Sequence, residues 1–426
     1  MPLARHHSLL ITHHPQGGQV CENPQPMKTA RPPFASWMLS SNTITQQFLS
    51  IGGRADIVSL AGGLPAAELY PVDAIRDATD RALKRWGTRI LEYGPVEGLY
   101  ALRETIASRV SAESGGRFVA ENVMLMTGAM QGLDLVGKTL VDPGDLIVAQ
   151  VPTYLGALDA WRPRGPRYEK FDWNVDRPGF DDALAQAKFA YVVPNYSNPT
   201  GALVVQSKRL ALLEKVRASG TWLLEDDPYH SIHFDGDPGP DILESDAVRY
   251  QGTYAGSVIY LGTLSKSIVP GLRVGWAIAD ASMIEKLALA KQSSDLSSSL
   301  FTQAIALELL ESGFDREHSR SINELYRERR DTLCREATMR IGEWFEWEVP
   351  AGGMFVWMRA KDPRIDTNEL YQTALEEKVA FVPGSVFDPD GLDCSAMRVN
   401  FTRSTPETIA EGVLRLERAI KRYLHR

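Results

Sequence analysis

Lys266 stands where an apolar run gives way to a loop, among residues suited to a phosphate. The run Val258-Ile259-Tyr260-Leu261 ends in Gly262 and two hydroxyl residues, Thr263 and Ser265. Seven residues past the lysine comes Arg273, set among Pro270, Gly271 and Gly275 beside a second apolar run, residues 274–278. A lysine held at a strand end sheds its proton when desolvated and attacks a carbonyl. Hydroxyls and a guanidinium suit phosphate oxygens, the guanidinium bidentately. A nucleophilic amine beside a phosphate cradle is what pyridoxal 5′-phosphate (PLP) requires when bound as a Schiff base. Taken alone, the same residues also describe a surface lysine after a strand and an arginine in an ordinary salt bridge.

Other reactive side chains recur at the ends of apolar runs, where a parallel sheet places its ligands. Thr127-Gly128-Ala129-Met130-Gln131-Gly132 follows the run 122–126 and opens a helix. Glycine lets backbone amides approach an anion there, and the helix N-terminus supplies donors; a plain glycine turn is the alternative. Val151-Pro152-Thr153-Tyr154 follows 145–150 and reads equally as a core aromatic beside a turn. Asn198-Pro199-Thr200-Gly201 follows 188–193 and is good turn chemistry in its own right. The run 221–225 delivers Glu225-Asp226-Asp227-Pro228-Tyr229. A carboxylate there is costly unless paired, or else the turn is solvated. Arg398 interrupts the apolar stretch 397–401. A buried arginine needs an anion, either an acid of the chain or a substrate carboxylate.

Thr263-Leu264-Ser265-Lys266, Pro270-Gly271-Leu272-Arg273-Val274-Gly275-Trp276 and Asn198-Pro199-Thr200-Gly201 resemble the motifs of the fold-type I PLP enzymes. They look most like the class I/II aminotransferases, in the branch with the α-aminoadipate, kynurenine and aromatic aminotransferases. The likeness runs from about Ile57 to about Leu424. It implies PLP as cofactor, linked to Lys266, with its phosphate on Arg273, Thr263, Ser265 and Gly128. Ala129 and Met130 replace a usual polar pair, so only their backbone N–H groups can serve. Tyr154 would stack on the cofactor ring, Asn198 and Tyr229 would bond its 3′-oxygen, and Asp226 would keep its pyridine nitrogen protonated. Gly63, Asn198 and Arg398 would hold the substrate carboxylate, and Tyr93 would cross a homodimer interface to the neighbour's phosphate. The resemblance also implies a cis peptide before Pro199. Glu92 and Thr263 depart from the glutamine and serine more usual in the family.

The activity implied is transfer of an amino group between an amino acid and a 2-oxo acid, ping-pong through pyridoxamine phosphate. Rival readings are another PLP reaction on the same fold (a β-lyase, a decarboxylase or a cyclising synthase) and a non-catalytic regulator domain. Regulators of that kind carry a helix-turn-helix segment ahead of the domain; the leader here lacks the two-helix apolar pattern. A dinucleotide-binding dehydrogenase is disfavoured, since no Gly-x-Gly-x-x-Gly follows the opening strand.

Positioning such residues takes a frame. Apolar runs at 122–126, 145–150, 188–193, 221–225, 257–261 and 274–279 alternate mostly with segments of helical period. That pattern describes an α/β fold, a mostly parallel sheet covered on both faces. Helical patterns cover 72–86, 98–113, 281–292, 297–312 and 315–341, with a short amphipathic helix at 41–51. Hairpin-like strands at 344–349 and 354–359 then lead to a final helix from Thr405-Pro406-Glu407. The resulting division is a leader (1–36), an N-terminal part of a small domain or substrate-covering arm (37–71), a large PLP-binding domain (72–310) and a C-terminal small α+β domain (311–426).

The totals fit an ordinary globular protein of two domains: 426 residues, 44% hydrophobic and 23% charged. A net charge of −8 with dispersed basic residues gives no electrostatic case for nucleic acid. No apolar run approaches the ~20 residues of a membrane span. Three scattered cysteines, Cys21, Cys334 and Cys394, argue for a reducing compartment, by default the cytoplasm, and have no zinc-ligand spacing. The His-His pairs of the Pro-rich leader read as a disordered segment.

Overall fold

The computed structural model describes residues 34–39 and 56–425. It divides into a unit of residues 1–40, of which a short helix Ser36–Leu39 is described, and a unit of residues 41–426. The expected helix at 41–51 and the histidine pairs lie outside the described residues.

The second unit is organised by thirteen described strands. In chain order they are β1 (Val58–Ser59), β2 (Val123–Met126), β3 (Leu146–Gln150), β4 (Arg167–Phe171), β5 (Ala187–Val192), β6 (Trp222–Asp226) and β7 (Val258–Thr263). There follow β8 (Gly275–Ile278), β9 (Phe345–Glu346), β10 (Phe355–Ala360), β11 (Val379–Ala380), β12 (Val382–Pro383) and β13 (Ala396–Asn400). Seven of them form one sheet in the order β2-β8-β7-β6-β5-β3-β4, in which only β8 runs against the rest.

Alternate residues of each central strand enter opposite cores. Phe189, Tyr191, Leu224, Ile259 and Leu261 bury on one face. Ala190, Val192, Leu223 and Val258 bury on the other. Both faces are therefore dry, which is why these strands read as almost unbroken apolar runs. β4 has no such run. Its sequence Arg-Tyr-Glu-Lys-Phe is an edge strand, exposed at its start and paired only to β3, and charges on an edge discourage further pairing.

A second sheet, β12-β13-β10-β9, is antiparallel and carries Arg398 in β13 between Trp357 and Val382. The N-terminal segment joins it: β1 pairs with β11, and the N–H of Asn400 donates to Leu60 O at 2.7 Å. The final helix, Pro406–Leu424, starts on Thr405, whose side chain accepts from the Thr408 N–H. It buries Ile409, Val413, Leu416 and Ile420, as its periodicity predicts.

Candidate active site

Sheet register brings the phosphate-type residues together. Met126 at the end of β2 lies opposite Gly275 of β8, which lies opposite Thr263 at the end of β7. Whatever follows Met126 and Thr263 and precedes Gly275 must therefore converge: Gly128, Ser265 with Lys266, and Arg273. Arg273 Nη2 donates to Thr127 O at 2.9 Å, and its Nη1 lies 3.4 Å from Ser265 Oγ. Thr263 Oγ1 donates to Ser265 Oγ at 3.0 Å.

Gly128 caps the helix Ala129–Leu140 with φ 83° and ψ 162°, a conformation almost exclusive to glycine. A Cβ there would lie 2.5 Å from Arg273 Nη2. The space before this helix is thus lined by a guanidinium, hydroxyls and helix-terminal N–H groups, the donor set of a phosphate cradle. Ala129 and Met130 form the first turn of that helix, and Met130 is exposed. Gly128→Ala is expected to cost about 1–3 kcal/mol of stability from its backbone alone. By pushing Arg273 aside it should also weaken PLP binding by at least about tenfold. Thermal unfolding and a cofactor titration measure the two effects separately.

Asp226 closes β6 and is buried. Burial, with Asp227 beside it, raises its pKa to about 7 against the opposing hydrogen bond from Tyr191. Oδ2 accepts the Tyr191 hydroxyl at 2.9 Å, whereas Oδ1 is buried with no hydrogen-bond partner among the described residues. An orphaned carboxylate oxygen is costly and marks the place of a missing donor. The neighbouring Asp227 is fully engaged. It accepts Asn195 Nδ2 at 2.9 Å and the N–H groups of Tyr229 and His230 at 3.3 and 3.1 Å. Burial opposes a charge on His230, but its hydrogen bonds to Asp227 and Asp241 push its pKa up to about 12. That network ties the turn carrying Tyr229 to the loop carrying Asn198.

Tyr154 follows β3 after the cis peptide Val151–Pro152, and Gly156 lets its ring fold back, since a Cβ there would lie 2.5 Å from the ring. Burial, then the charge of Asp226, raises its hydroxyl pKa to about 12. Burial likewise drives the Tyr229 hydroxyl upward, so it remains a donor. Asn198 precedes a cis peptide to Pro199, as expected from the resemblance.

Arg398 is buried and reaches across from the small sheet. Its Nη1 donates to Asn198 Oδ1 at 2.7 Å and its Nη2 to Ala61 O at 2.6 Å, while Nε is buried without a partner among the described residues. The guanidinium lies 4.2 Å from the ring centre of Phe355 and 5.0 Å from that of Phe387. Burial lowers its pKa to about 10. Lys266 Nζ donates to Gly63 O at 2.8 Å. Desolvation of the amine, then the charges of Arg398 and Arg273, bring its pKa down to about 8.

The structure therefore gathers Lys266, Asp226, Tyr229, Gly128, Tyr154, Asn198, Thr263, Ser265, Arg273, Gly63 and Arg398 at one end of the sheet. Tyr93 is 87% exposed. Three contributors went unread in the sequence: Tyr191, which supports Asp226, and Phe355 and Phe387, which face Arg398. A tyrosine or phenylalanine inside an apolar strand signals only core. PLP fits these residues: its phosphate suits the Gly128–Arg273 cradle, its ring nitrogen suits Asp226 Oδ1, and its aldehyde suits the depressed amine of Lys266.

Residues 55–416 match the family model for aminotransferase class I and II. A 2-aminoadipate transaminase of Thermus thermophilus is 36% identical over 389 residues, covering 90% of this chain and 94% of its own. An aromatic-amino-acid aminotransferase of Thermococcus litoralis is 34% identical, covering 88% and 91%. The crystal structure of a Pyrococcus horikoshii kynurenine aminotransferase in complex with PMP matches with a TM-score of 0.84 at 32% identity, covering 92% of this chain and 97% of that one. A family match along most of the sequence, relatives with a shared type of activity and a site shaped for one cofactor converge: this chain belongs to the class I and II aminotransferases and is a PLP-dependent transaminase of fold type I.

Proposed function

We propose that Lys266 is the cofactor-linked base, that Asp226 answers the ring nitrogen, and that Arg398 with Asn198 orients the α-carboxylate of an amino acid or 2-oxo acid. One observation carries this reading. Lys266, Arg273 and Arg398 converge at one end of the sheet on carbonyl, hydroxyl and amide oxygens, yet none of them forms an ion pair among the described residues. Cations brought together without acids, Arg398 among them buried, call for anionic guests. A phosphate at Arg273 and a carboxylate at Arg398 satisfy that demand.

When bound, PLP supplies an aldehyde carbon for the amine and a ring that accepts an electron pair. The chain does the rest. Lys266 Nζ would take the proton from the substrate Cα as base and give it back as acid. Gly63 O accepts a hydrogen bond from that nitrogen and keeps it within the site. Tyr154 would stack on the cofactor ring, and Tyr229 with Asn198 would donate to its 3′-oxygen. Gly128, Ser265, Thr263 and the backbone of Ala129 and Met130 hold the phosphate with Arg273.

A homodimer would complete this reading, with Tyr93 reaching the neighbouring chain's phosphate; the exposure of Tyr93, Leu91 and Tyr100 supports it. Residues 72–310 form the large domain of the proposal, with the small domain built from the described residues 56–71 and 311–425. No described helix is long and apolar enough to cross a membrane. The described cysteines, Cys334 and Cys394, are free, which supports a cytoplasmic setting. Aminoadipate and aromatic amino acids, named for the relatives, are the first donors to test. Incubating each with 2-oxoglutarate should yield glutamate and the donor's own 2-oxo acid. Ammonia, carbon dioxide or a cyclised product in their place would indicate another reaction on this fold.

Arg398→Lys should raise KM for the amino acid by about 10–100-fold, the loss of a bidentate, charge-assisted contact. The visible spectrum of the bound cofactor should stay unchanged. Steady-state kinetics with a matched spectrum checks both.

A further inference from the structure

The support behind Asp226 is built with care. Tyr191 of β5 lies opposite Leu224 of β6, and Asp226 is two residues further along β6, hence on the same face. The Tyr191 hydroxyl reaches Asp226 Oδ2 at 2.9 Å along that diagonal. Its ring is fully buried and held edge-on by Trp161, with ring centres 5.0 Å apart. Trp161 is pinned in turn by its indole N–H, which donates to Leu133 O at 2.8 Å. With Oδ2 occupied from a fixed direction, the plane of the carboxylate is set and Oδ1 is the oxygen left to face a ligand.

We propose that Tyr191 is a positioning residue for the cofactor: its hydroxyl keeps Asp226 ionised and turned so that Oδ1 meets the pyridine nitrogen. This rests on the assignment of Asp226 to that nitrogen. A hydrogen bond to a charged acceptor favours the ionised form. Only an ionised carboxylate holds the ring nitrogen protonated, so the phenol acts on the ring through Asp226 without touching it.

Tyr191→Phe removes the hydroxyl and keeps the ring with its packing on Trp161. Wild type, Tyr191→Phe and Asp226→Asn are each titrated with PLP and with its 1-deaza analogue, in which a CH replaces the ring nitrogen. Tyr191→Phe should bind PLP about tenfold more weakly and the deaza analogue as well as wild type does. After reconstitution with PLP, its kcat should fall by a similar factor. An equal loss for both cofactors would show a merely structural tyrosine, and no loss for PLP an idle one; either overturns the proposal. If Asp226→Asn also fails to tell the two cofactors apart, the assignment of Asp226 falls and takes the proposal with it. If Asp226→Asn discriminates and Tyr191→Phe does not, only the role of the tyrosine is lost.

Discussion

Lys266→Ala should abolish transamination, lowering turnover by at least about 10⁴-fold, while the folded protein still takes up PLP. Two roles vanish with one nitrogen: the covalent link, and the proton transfer at the substrate Cα, itself worth about 10²–10⁴. The fold should barely notice. What the chain loses is one hydrogen bond, from Nζ to Gly63 O, worth about 1 kcal/mol. The phosphate cradle of Gly128, Ser265 and Arg273 is untouched, so cofactor remains bound without its covalent link. Pre-steady-state kinetics with an amino acid donor, and partial rescue by a small added amine, measure the effect. The pH dependence follows from the same nitrogen. The Lys266 pKa is brought down to about 8, and only the neutral amine attacks an aldehyde. Capture of PLP by the apoprotein should therefore accelerate as pH rises toward 8 and level off above it.

Asp226→Asn is expected to lower kcat by about three orders of magnitude. A carboxylate about 4 Å from a pyridinium is worth roughly 4 kcal/mol at an effective dielectric near 20. Expressed fully in the transition state, that is about a thousandfold. Asparagine keeps the shape and can still accept a hydrogen bond at Oδ1, but it carries no charge to hold the proton on the ring. KM for the amino acid should change little, because Arg398 and Asn198 are untouched. Wild-type affinity for PLP should also decline as pH drops through about 7, where burial has placed the titration of Asp226. The variant should lack that decline. Kinetics on the two reconstituted proteins and cofactor titrations across pH check the three outcomes.

Much of this architecture is legible in the sequence because burial on both faces leaves a plain trace. β2, β3, β5, β6, β7 and β8 each appear as a short apolar run, and each places a polar residue just past its end or, for β8, just before its start. β4 leaves no such trace: an edge strand pairs through backbone groups that any side chain can accompany, and no apolar run marks Arg167 to Lys170. Sheet order is equally invisible along the chain. That Met126, Gly275 and Thr263 lie side by side decides that Arg273 meets Gly128, and no local spacing records it. Arg398 shows the limit from another direction. Its sequence leaves an internal acid and a substrate carboxylate as equal candidates, and only the three-dimensional neighbours, Asn198, Ala61 O and two aromatic faces, show that no acid of the described chain answers it. Tyr191 is hidden for a simpler reason: the ring belongs to the core, and a single oxygen atom belongs to the site.

The link between one amine and the cofactor is tested most directly by trapping it. Protein reconstituted with PLP is reduced with borohydride, digested and mapped by mass spectrometry. The expected result is the phosphopyridoxyl mass on Lys266 alone, at one per chain, with the same treatment leaving Lys266→Ala unlabelled. Label on a different lysine, or undiminished label in the variant, would contradict the assignment.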